Sequence, residues 1–197
     1  MKASPKLSSD RETLRADARR NYDRLVAAAS AVVAERGAEA SLEEIARRAG
    51  VGSATLHRHF ASRHALLEAV FEDRVQALCT LGTDLLSHPE PGAALVTWLR
   101  AVVAHAAANR GLGASLMAGA RGAELGTSSH RRIRDVGGAL LTRAQGERAT
   151  DPDVAIDDLL QLLNAISLAT EAEPDRADRL LTIVVTGLDA PAAGRES

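Results

Sequence analysis

Apolar residues recur every three to four positions along most of the chain, and this spacing predicts helices from one end to the other. A helix completes a turn every 3.6 residues, so apolar residues at that spacing share one face. Short β-branched runs between turns, which would predict strands, are nearly absent. The pattern therefore predicts an all-α fold. The buried face of the first helix consists of Tyr22, Leu25, Val26, Ala29, Val32 and Val33, and Arg36-Gly37 ends that helix.

The start of the chain lacks this periodicity. Residues 1 to about 12 combine serine, proline, lysine and aspartate without an apolar face, which is typical of disorder. Arg11, Arg15, Arg19 and Arg20 then lead into the first helix. We therefore expect residues 1–17 to form a flexible basic arm.

A turn rich in proline divides the rest of the chain. His88-Pro-Glu-Pro-Gly92 contains the residues that interrupt helices. We therefore expect a smaller domain at residues 18–77 and a larger helical domain at residues 84–190.

Further interruptions are expected inside the larger domain. Asn109-Arg-Gly111 is predicted to end one helix, and residues 122–129 are predicted to form a loop. Gly137-Gly138 should weaken the following helix by about 1 kcal/mol per glycine relative to alanine. Asp151-Pro-Asp153 predicts the start of the next helix, since proline and acidic residues favour a first turn. The last helix is expected to start at Pro174.

The segment from Ser41 onward has the most informative local pattern. Ser41 is a good N-cap, and Glu44 stands at the capping-box spacing. Gly50 can adopt the left-handed conformation that ends a helix. Leu56 and Phe60 lie four residues apart, so both are expected to point into the core. Two short helices joined by a glycine turn form a helix-turn-helix, which places its second helix in the major groove of DNA.

The second of these helices should present a polar and cationic surface. Gly52 or Ser53 would open it. Short polar and cationic side chains suit a groove that is edged by phosphates. A plain helical hairpin with a solvated face is the alternative, but the cap, the glycine turn and the two apolar anchors together disfavour it. The exposed positions are expected to be Ser53, Ala54, Thr55, His57, Arg58 and His59.

The run from Ala49 to Leu67 resembles the signature of TetR-type transcriptional regulators. In that family an Ala-Gly-Val turn leads into Thr-Leu-Tyr-x-His-Phe, followed by Ser-Lys/Arg and a leucine. The chain has Ala-Gly-Val-Gly-Ser-Ala-Thr-Leu-His-Arg-His-Phe-Ala-Ser-Arg at the corresponding positions. His57 replaces the tyrosine of the family, which shortens the reach to a phosphate. The resemblance covers about residues 18–77 and implies a three-helix DNA-binding domain.

The resemblance also implies roles for individual residues. Arg58 is the best match for a contact to guanine O6 and N7, and Ala54 could contact a thymine methyl group. Ser53 would face bases beside them. The residues implied to lie on the phosphate side are Ser41, Thr55, His57, His59 and Arg63.

The larger domain has a looser resemblance to the C-terminal domain of SbtR-like TetR regulators. It rests on Trp98-Leu, Gly111-Leu, the run from Leu140 to Gln145, and Asp157-Asp-Leu-Leu-Gln-Leu-Leu. It implies a helical sensor domain that forms a homodimer through its last two helices. The expected interface residues are Leu159, Leu160, Leu163, Leu181 and Val184.

An effector pocket is expected among the middle helices of the larger domain. Their large apolar side chains are interrupted by several glycines, so packing there should be incomplete. Ligand pockets are mostly apolar, which favours an apolar small molecule as the effector. A plain core with Trp98 simply buried is an equally good interpretation. The expected wall residues are Trp98, Val102, Leu116, Met117 and Leu140.

Composition and charge narrow the function further. Residues 1–64 hold 12 Lys and Arg against 8 Asp and Glu, and the remaining residues hold 12 against 18, which suits DNA binding at one end. A single cysteine, the lack of a leader-like apolar core, and no apolar run of about 20 residues favour a cytoplasmic protein without a membrane partner.

No pattern requires a cofactor, a metal or a catalytic group. His57 and His59 lack the i, i+4 spacing of a zinc pair, and the acids after Asp151 lack a calcium loop's glycine and final glutamate. The sequence thus predicts a ligand-responsive repressor that binds an inverted-repeat operator in double-stranded DNA as a dimer. The alternative is a small all-helical ligand-binding or enzymatic protein whose N-terminal hairpin is only structural.

Overall fold

Helices account for all regular structure in the described parts of the chain, residues 5–117, 122–170 and 173–188 of a computed structural model. The all-α prediction is therefore confirmed there. Within those ranges no helix is long and apolar enough to cross a membrane. The helices are α1 (Pro5–Arg36), α2 (Leu42–Arg48), α3 (Ser53–His59), α4 (Arg63–Leu85), α5 (Pro91–Met117), α6 (Gly122–Gly146), α7 (Ile156–Ala169) and α8 (Pro174–Leu188), with a 3₁₀ turn at Gly37–Glu39.

The N-terminal unit consists of α1, α2, α3 and the first half of α4 around one apolar core. Leu56 and Phe60 are buried in that core as the sequence predicts. Gly50 has φ +65°, a conformation that suits glycine and ends α2 by turning the chain toward α3. Further core residues are Leu25, Val26, Ala29, Val32, Ile45, Leu66 and Val70.

Trp98 is the centre of the larger domain. Its side chain is fully buried, and its Nε1 donates a hydrogen bond of 3.2 Å to the carbonyl oxygen of Leu78 in α4. The bond satisfies the indole N–H away from water. Around it, α5 packs between α4, α6 and α7, and α8 closes the far side.

Three segments that were expected to be non-helical lie in helices: part of the N-terminal arm, the loop at residues 122–129 and the break at Asn109-Arg-Gly111. Residues 5–17 belong to α1 rather than to a flexible arm, and residues 1–4 lie outside the described residues. An ion pair between Arg20 and Asp17, three residues apart, supports the helix on its exposed side. The predicted loop at residues 122–129 is the start of α6, where Ser129 is buried.

The predicted break at Asn109-Arg-Gly111 is a continuous part of α5. Asn109 is 8% exposed, and Leu112 is fully buried in the core of the N-terminal unit. Burying an apolar side chain stabilises by more than the roughly 1 kcal/mol that a glycine costs a helix. The end of α5 therefore crosses the predicted boundary between the two domains.

The start of α7 is also later than predicted. Asp151–Val154 forms a turn, and the helix begins at Ile156 after an extended Ala155. Gln145 holds this turn, because its Nε2 donates to the carbonyl oxygens of Asp151, at 3.1 Å, and Val154, at 3.0 Å. The Gln145 side chain thus stabilises a turn where the sequence predicts the first residues of a helix.

The prediction of the interface residues is wrong, because these side chains point into their own protomer. Leu159, Leu160, Leu163 and Leu181 are buried in the core of their own protomer, and Val184 is half-buried against it. Large apolar side chains do remain exposed on the last two helices, but at other positions. These are Leu162 and Leu168 in α7 and Ile183 in α8.

Candidate nucleic-acid interface

The turn into α2 is held differently from the capping box that the sequence predicts. Ser41 has the extended backbone of an N-cap, but its side chain makes no capping hydrogen bond. Glu44 instead accepts from Arg47 Nη2 and Arg48 Nε, both at 2.8 Å. A charged partner outcompetes the backbone N–H for the carboxylate. The Ser41 side chain is exposed and makes no capping bond.

Helix α3 begins at Ser53, with Gly52 rather than Ser53 as its N-cap. The carbonyl oxygen of Gly52 accepts from the N–H of Thr55 at 2.9 Å and of Leu56 at 3.2 Å. Because Leu56 points into the core, Ser53 and Ala54 are exposed at the first turn. The first turn of α3 thus presents small side chains to solvent.

Arg58 lies along its own helix. Its Nε donates to the carbonyl oxygen of Ala54 at 3.2 Å, and its Nη2 donates to Thr55 Oγ1 at 3.4 Å. Both contacts are long and exposed, so they are weak. The guanidinium can therefore exchange these contacts for a hydrogen bond to a base at little cost. Arg58 and Thr55 are neighbours on one side of α3.

An aromatic contact that the sequence pattern does not predict joins α1 to the end of α3. Tyr22 is 37% exposed and does not belong to the buried stripe in which the sequence places it. Its ring centroid lies 5.2 Å from that of Phe60 and 6.2 Å from that of His59. Tyr22 therefore holds the half-buried His59 from the side, whereas His57 is exposed. The only hint of this contact in the sequence is that Tyr22 lies one helical turn before the core residue Leu25.

Ion pairs lie on the exposed surface of the N-terminal unit. Arg63, at the first turn of α4, donates from Nη1 to Glu39 Oε2 at 2.9 Å. Arg48 donates to both carboxylate oxygens of Glu35 at 2.7 Å. This hydrogen bonding lowers the pKa of Glu35, so the carboxylate is ionised at neutral pH. Arg48 ties α2 to α1, and Arg63 has an exposed partner that a phosphate can replace.

Two family models and several solved structures match this arrangement. The model for bacterial regulatory proteins of the tetR family matches residues 25–70, and that for the SbtR-like C-terminal domain of transcriptional regulators matches residues 90–190. A TetR transcriptional regulator from Streptomyces coelicolor is 34% identical, with 87% of this chain and 99% of that chain covered and a TM-score of 0.75. The chain belongs to the TetR family of transcriptional regulators.

Two further solved structures are similar to the chain. The TetR regulatory protein from Mycobacterium vanbaalenii is 33% identical, with 90% of this chain and 99% of that chain covered and a TM-score of 0.74. The ketosteroid regulator KstR2 of Mycobacterium tuberculosis shares the fold at 20% identity, with 86% and 95% covered and a TM-score of 0.60. No curated protein matches the chain significantly. The alternative of an enzyme or carrier with a structural hairpin is not favoured.

The predicted effector residues of this TetR regulator fall into two groups. Trp98, Val102 and Leu140 are buried together in the core of the larger domain. The side chains of Leu116 and Met117 lie outside the described residues. A groove of about 530 Å³ lies elsewhere, between α1, α4 and the start of α6. It is lined by Tyr22, Ala65, Glu68, Ala69, Glu72, Glu124, Leu125 and Ser128.

His105 marks the contact between the two domains. Burial, and secondly the nearby guanidinium of Arg74, lower its pKa from 6.5 to about 4. The ring centroid lies 6.2 Å from that of Phe71 in α4. At neutral pH the imidazole is therefore uncharged.

Acid should destabilise the protein through this histidine. The unfolded chain binds a proton near pH 6.5, but the folded protein resists it until about pH 4. The free energy of unfolding should therefore fall as the pH drops from about 6.5 to about 4, by at most about 1.4 kcal/mol per pH unit from this one proton. Urea unfolding at several pH values should show this loss, and His105→Gln should lack it. An NMR titration that gives His105 an ordinary pKa would contradict the expectation.

Proposed function

We propose that this TetR regulator is a ligand-responsive repressor that binds an inverted-repeat operator as a homodimer. The observation that carries the proposal is α3, whose small, polar and cationic side chains face outward while Leu56 fixes it to the core. Such a helix fits the major groove. A repressor must meet its operator, so we place its action in the cytoplasm and propose no catalytic role.

Selection of bound sequences from random duplex DNA tests this function. A two-fold dimer imposes its symmetry on the site, so the selected sequences should form an inverted repeat. The centres of the half-sites should lie about one helical turn apart, roughly 34–36 Å, or a multiple of it. Selection without enrichment would exclude operator binding, and enriched sites without a dyad would exclude the dimeric docking.

We propose two kinds of contact for these residues of the N-terminal unit. Ser53, Ala54 and Arg58 lie on α3 where it would face base edges, and Arg58 can form the bidentate bond that guanine accepts. Phosphates would meet residues on the sides of α3, before α2 and at the start of α4, because the DNA backbones edge the groove on both sides of a bound helix. The latter residues are Ser41, Thr55, His57, His59 and Arg63.

The two arginines should give different variant phenotypes. Arg58→Ala should relax sequence preference at one position per half-site, at a cost of about 1–3 kcal/mol. Arg63→Ala should weaken binding to all duplexes alike and reduce the slope of log affinity against log salt by about 1. Binding assays with operator variants at several salt concentrations measure both effects.

Arg100→Ala is the matched control for these variants. Arg100 is an exposed arginine of α5 that pairs with Asp178 at 3.1 Å, far along the chain from α3. Its removal lowers the net charge and breaks one ion pair, as Arg63→Ala does. It should leave operator binding unchanged. Equal effects of Arg58→Ala and Arg63→Ala across all operator variants would contradict the division into base and phosphate contacts.

For the effector, we propose an apolar small molecule and a pocket walled by Trp98, Val102, Leu116, Met117 and Leu140. The buried apolar surroundings of Trp98 support this class of ligand. Binding would separate α5 from α6, because Trp98 now fills the space between them. A compound that releases the operator should therefore change Trp98 fluorescence, and Met117→Arg should reduce its potency. Unchanged fluorescence together with unchanged potency would place the pocket elsewhere.

A further inference from the structure

Arg74 is held by four hydrogen bonds that end on two other helices. Its Nε and Nη2 donate to Oγ and to the carbonyl oxygen of Ser30 in α1, both at 3.2 Å. Its Nη1 donates to the carbonyl oxygen of Ala108 at 2.9 Å and to Asn109 Oδ1 at 3.0 Å, both in α5. One guanidinium in α4 thus joins α1 and α5.

The two ends of this connection belong to different domains. Ser30 lies in the buried half of α1, which packs against α2 and carries the DNA-binding unit. Asn109 lies in α5, the helix that carries Trp98 in the sensor core. Among the described residues no hydrogen bond joins Ser30 to Asn109 directly, so the polar connection between them runs through Arg74.

The chemistry of the site makes this connection rigid. All four acceptors are neutral oxygens, and burial lowers the pKa of Arg74. A partly buried guanidinium that lost its acceptors would remain charged and unsatisfied, which is costly. The planar fork also fixes the directions of its N–H groups. A shift of α5 relative to α1 must therefore break several bonds or move α1 as well.

Neighbouring contacts extend the connection along α5. The side-chain Nδ2 of Asn109 donates to the carbonyl oxygen of His105 at 3.0 Å, one turn closer to the sensor core. One turn in the other direction, Leu112 is fully buried among the residues of the DNA-binding core. The segment from His105 to Leu112 is thus held to α4 and the DNA-binding unit by both polar and apolar contacts.

We propose that Arg74 is a positioning residue that transmits movement of α5 to α1 and thereby sets the placement of α3 for DNA. This inference rests on the proposed function as a ligand-responsive DNA-binding protein. It assigns the coupling to one residue and two acceptor sites, Ser30 in α1 and the Ala108–Asn109 turn in α5. An effector that displaced α5 would act on DNA affinity through them.

A double-mutant cycle on operator affinity tests the coupling without an effector. Ser30→Ala removes one acceptor in α1, and Asn109→Ala removes one acceptor in α5. Each change should weaken operator binding by about 2- to 30-fold. Because both changes interrupt the same connection, the double variant should bind the operator only slightly more weakly than the weaker of the two single variants. Independent, multiplying losses would overturn the proposal.

The same cycle in an Arg74→Met background locates the connection. With Arg74 removed, Ser30→Ala and Asn109→Ala should each change operator affinity by less than about 2-fold. Arg74→Lys keeps the charge and part of the donor set, so it should bind the operator better than Arg74→Met. If the methionine variant does not fold, the lysine variant replaces it as the background of the cycle. Arg132→Met is the matched control, since Arg132 ties α6 to Glu72 and Gln76 of α4 without a bond to α1. The Ser30–Asn109 coupling should persist in it.

Hydrogen exchange separates a failure of this inference from a failure of the proposed function. In the protein without DNA, Asn109→Ala should speed exchange of the α1 amides around Ser30 several-fold, whereas Arg132→Met should not. If selection finds no operator but this remote effect is present, the coupling stands and the DNA function falls. Exchange that rises only within α5 overturns the role of Arg74, whatever the outcome of the selection.

Discussion

Gly137→Ala is expected to destabilise the protein by about 1–3 kcal/mol, whereas Gly138→Ala, at the next position of the same helix, is expected to stabilise it by about 0.5–1 kcal/mol. The two substitutions add the same methyl group to α6. Their opposite signs follow from what each methyl group would meet.

Gly137 faces the buried indole of Trp98. A Cβ there would lie 2.5 Å from Trp98 Cη2 and 2.8 Å from Ile156 Cδ1, closer than carbon atoms can approach. The indole is fixed by its hydrogen bond to Leu78, so it cannot turn aside. At Gly138 the nearest atom to a Cβ is Ile156 Cγ2 at 3.9 Å, an ordinary contact. There the substitution only removes the conformational freedom of glycine in the unfolded chain.

Thermal and urea unfolding measure both changes. For a chain of this size, 1 kcal/mol shifts Tm by about 2–4 °C. Trp98 emission provides a second readout, which Gly137→Ala should alter and Gly138→Ala should not. Gly82→Ala checks the same packing from α4, since its Cβ would lie 2.7 Å from Trp98 Nε1, and it should also destabilise. Equal effects at Gly137 and Gly138 would show that the indole does not fill this space.

This pair illustrates what the sequence could not reveal. Periodicity places α6 and its apolar side, but it treats Gly137 and Gly138 as equal weaknesses in a helix. Only the contact with Trp98, which is distant in sequence, separates a required glycine from a dispensable one. Gly111 shows the same limit. The helix α5 continues across this predicted break because Leu112 is buried in the core of the N-terminal unit, a contact that the local sequence does not reveal.

The helix-turn-helix was predictable because its determinants are local. The left-handed turn at Gly50 and the anchors Leu56 and Phe60 lie within eleven residues, and each acts on its neighbours. The failures in the same region come from competition that spacing cannot express. Ser41 and Glu44 have the spacing of a capping box, but Arg47 and Arg48 take the carboxylate.

The last two helices show a further limit of pattern reading. A helix with apolar residues on several sides buries one set within its own protomer and leaves another exposed. The sequence alone does not reveal which set is which, and the predicted interface leucines proved to be the inner set. The exposed set, Leu162, Leu168 and Ile183, is what a second copy can cover.

Ile183→Glu is therefore expected to convert the proposed dimer into a monomer of 20.7 kDa. Ile183 is 68% exposed in the protomer, with Leu168 at 59% on the adjacent helix. If the exposed sides of α7 and α8 meet their copies across a two-fold axis, each variant dimer would bury two unpaired carboxylates. The protomer itself should keep its stability within about 0.5 kcal/mol, because the change is made at its surface.

Loss of the dimer should also remove most operator binding. Two linked reading units bind a site about 10²- to 10⁴-fold more tightly than one, because the second contact is made within the complex. Sedimentation at low micromolar concentration and operator affinity should therefore change together in Ile183→Glu. Leu81→Glu is the matched control, since Leu81 is an exposed leucine of α4 outside the last two helices, and it should leave both measurements unchanged. An Ile183→Glu protein that sediments as a dimer and binds the operator normally would place the interface elsewhere.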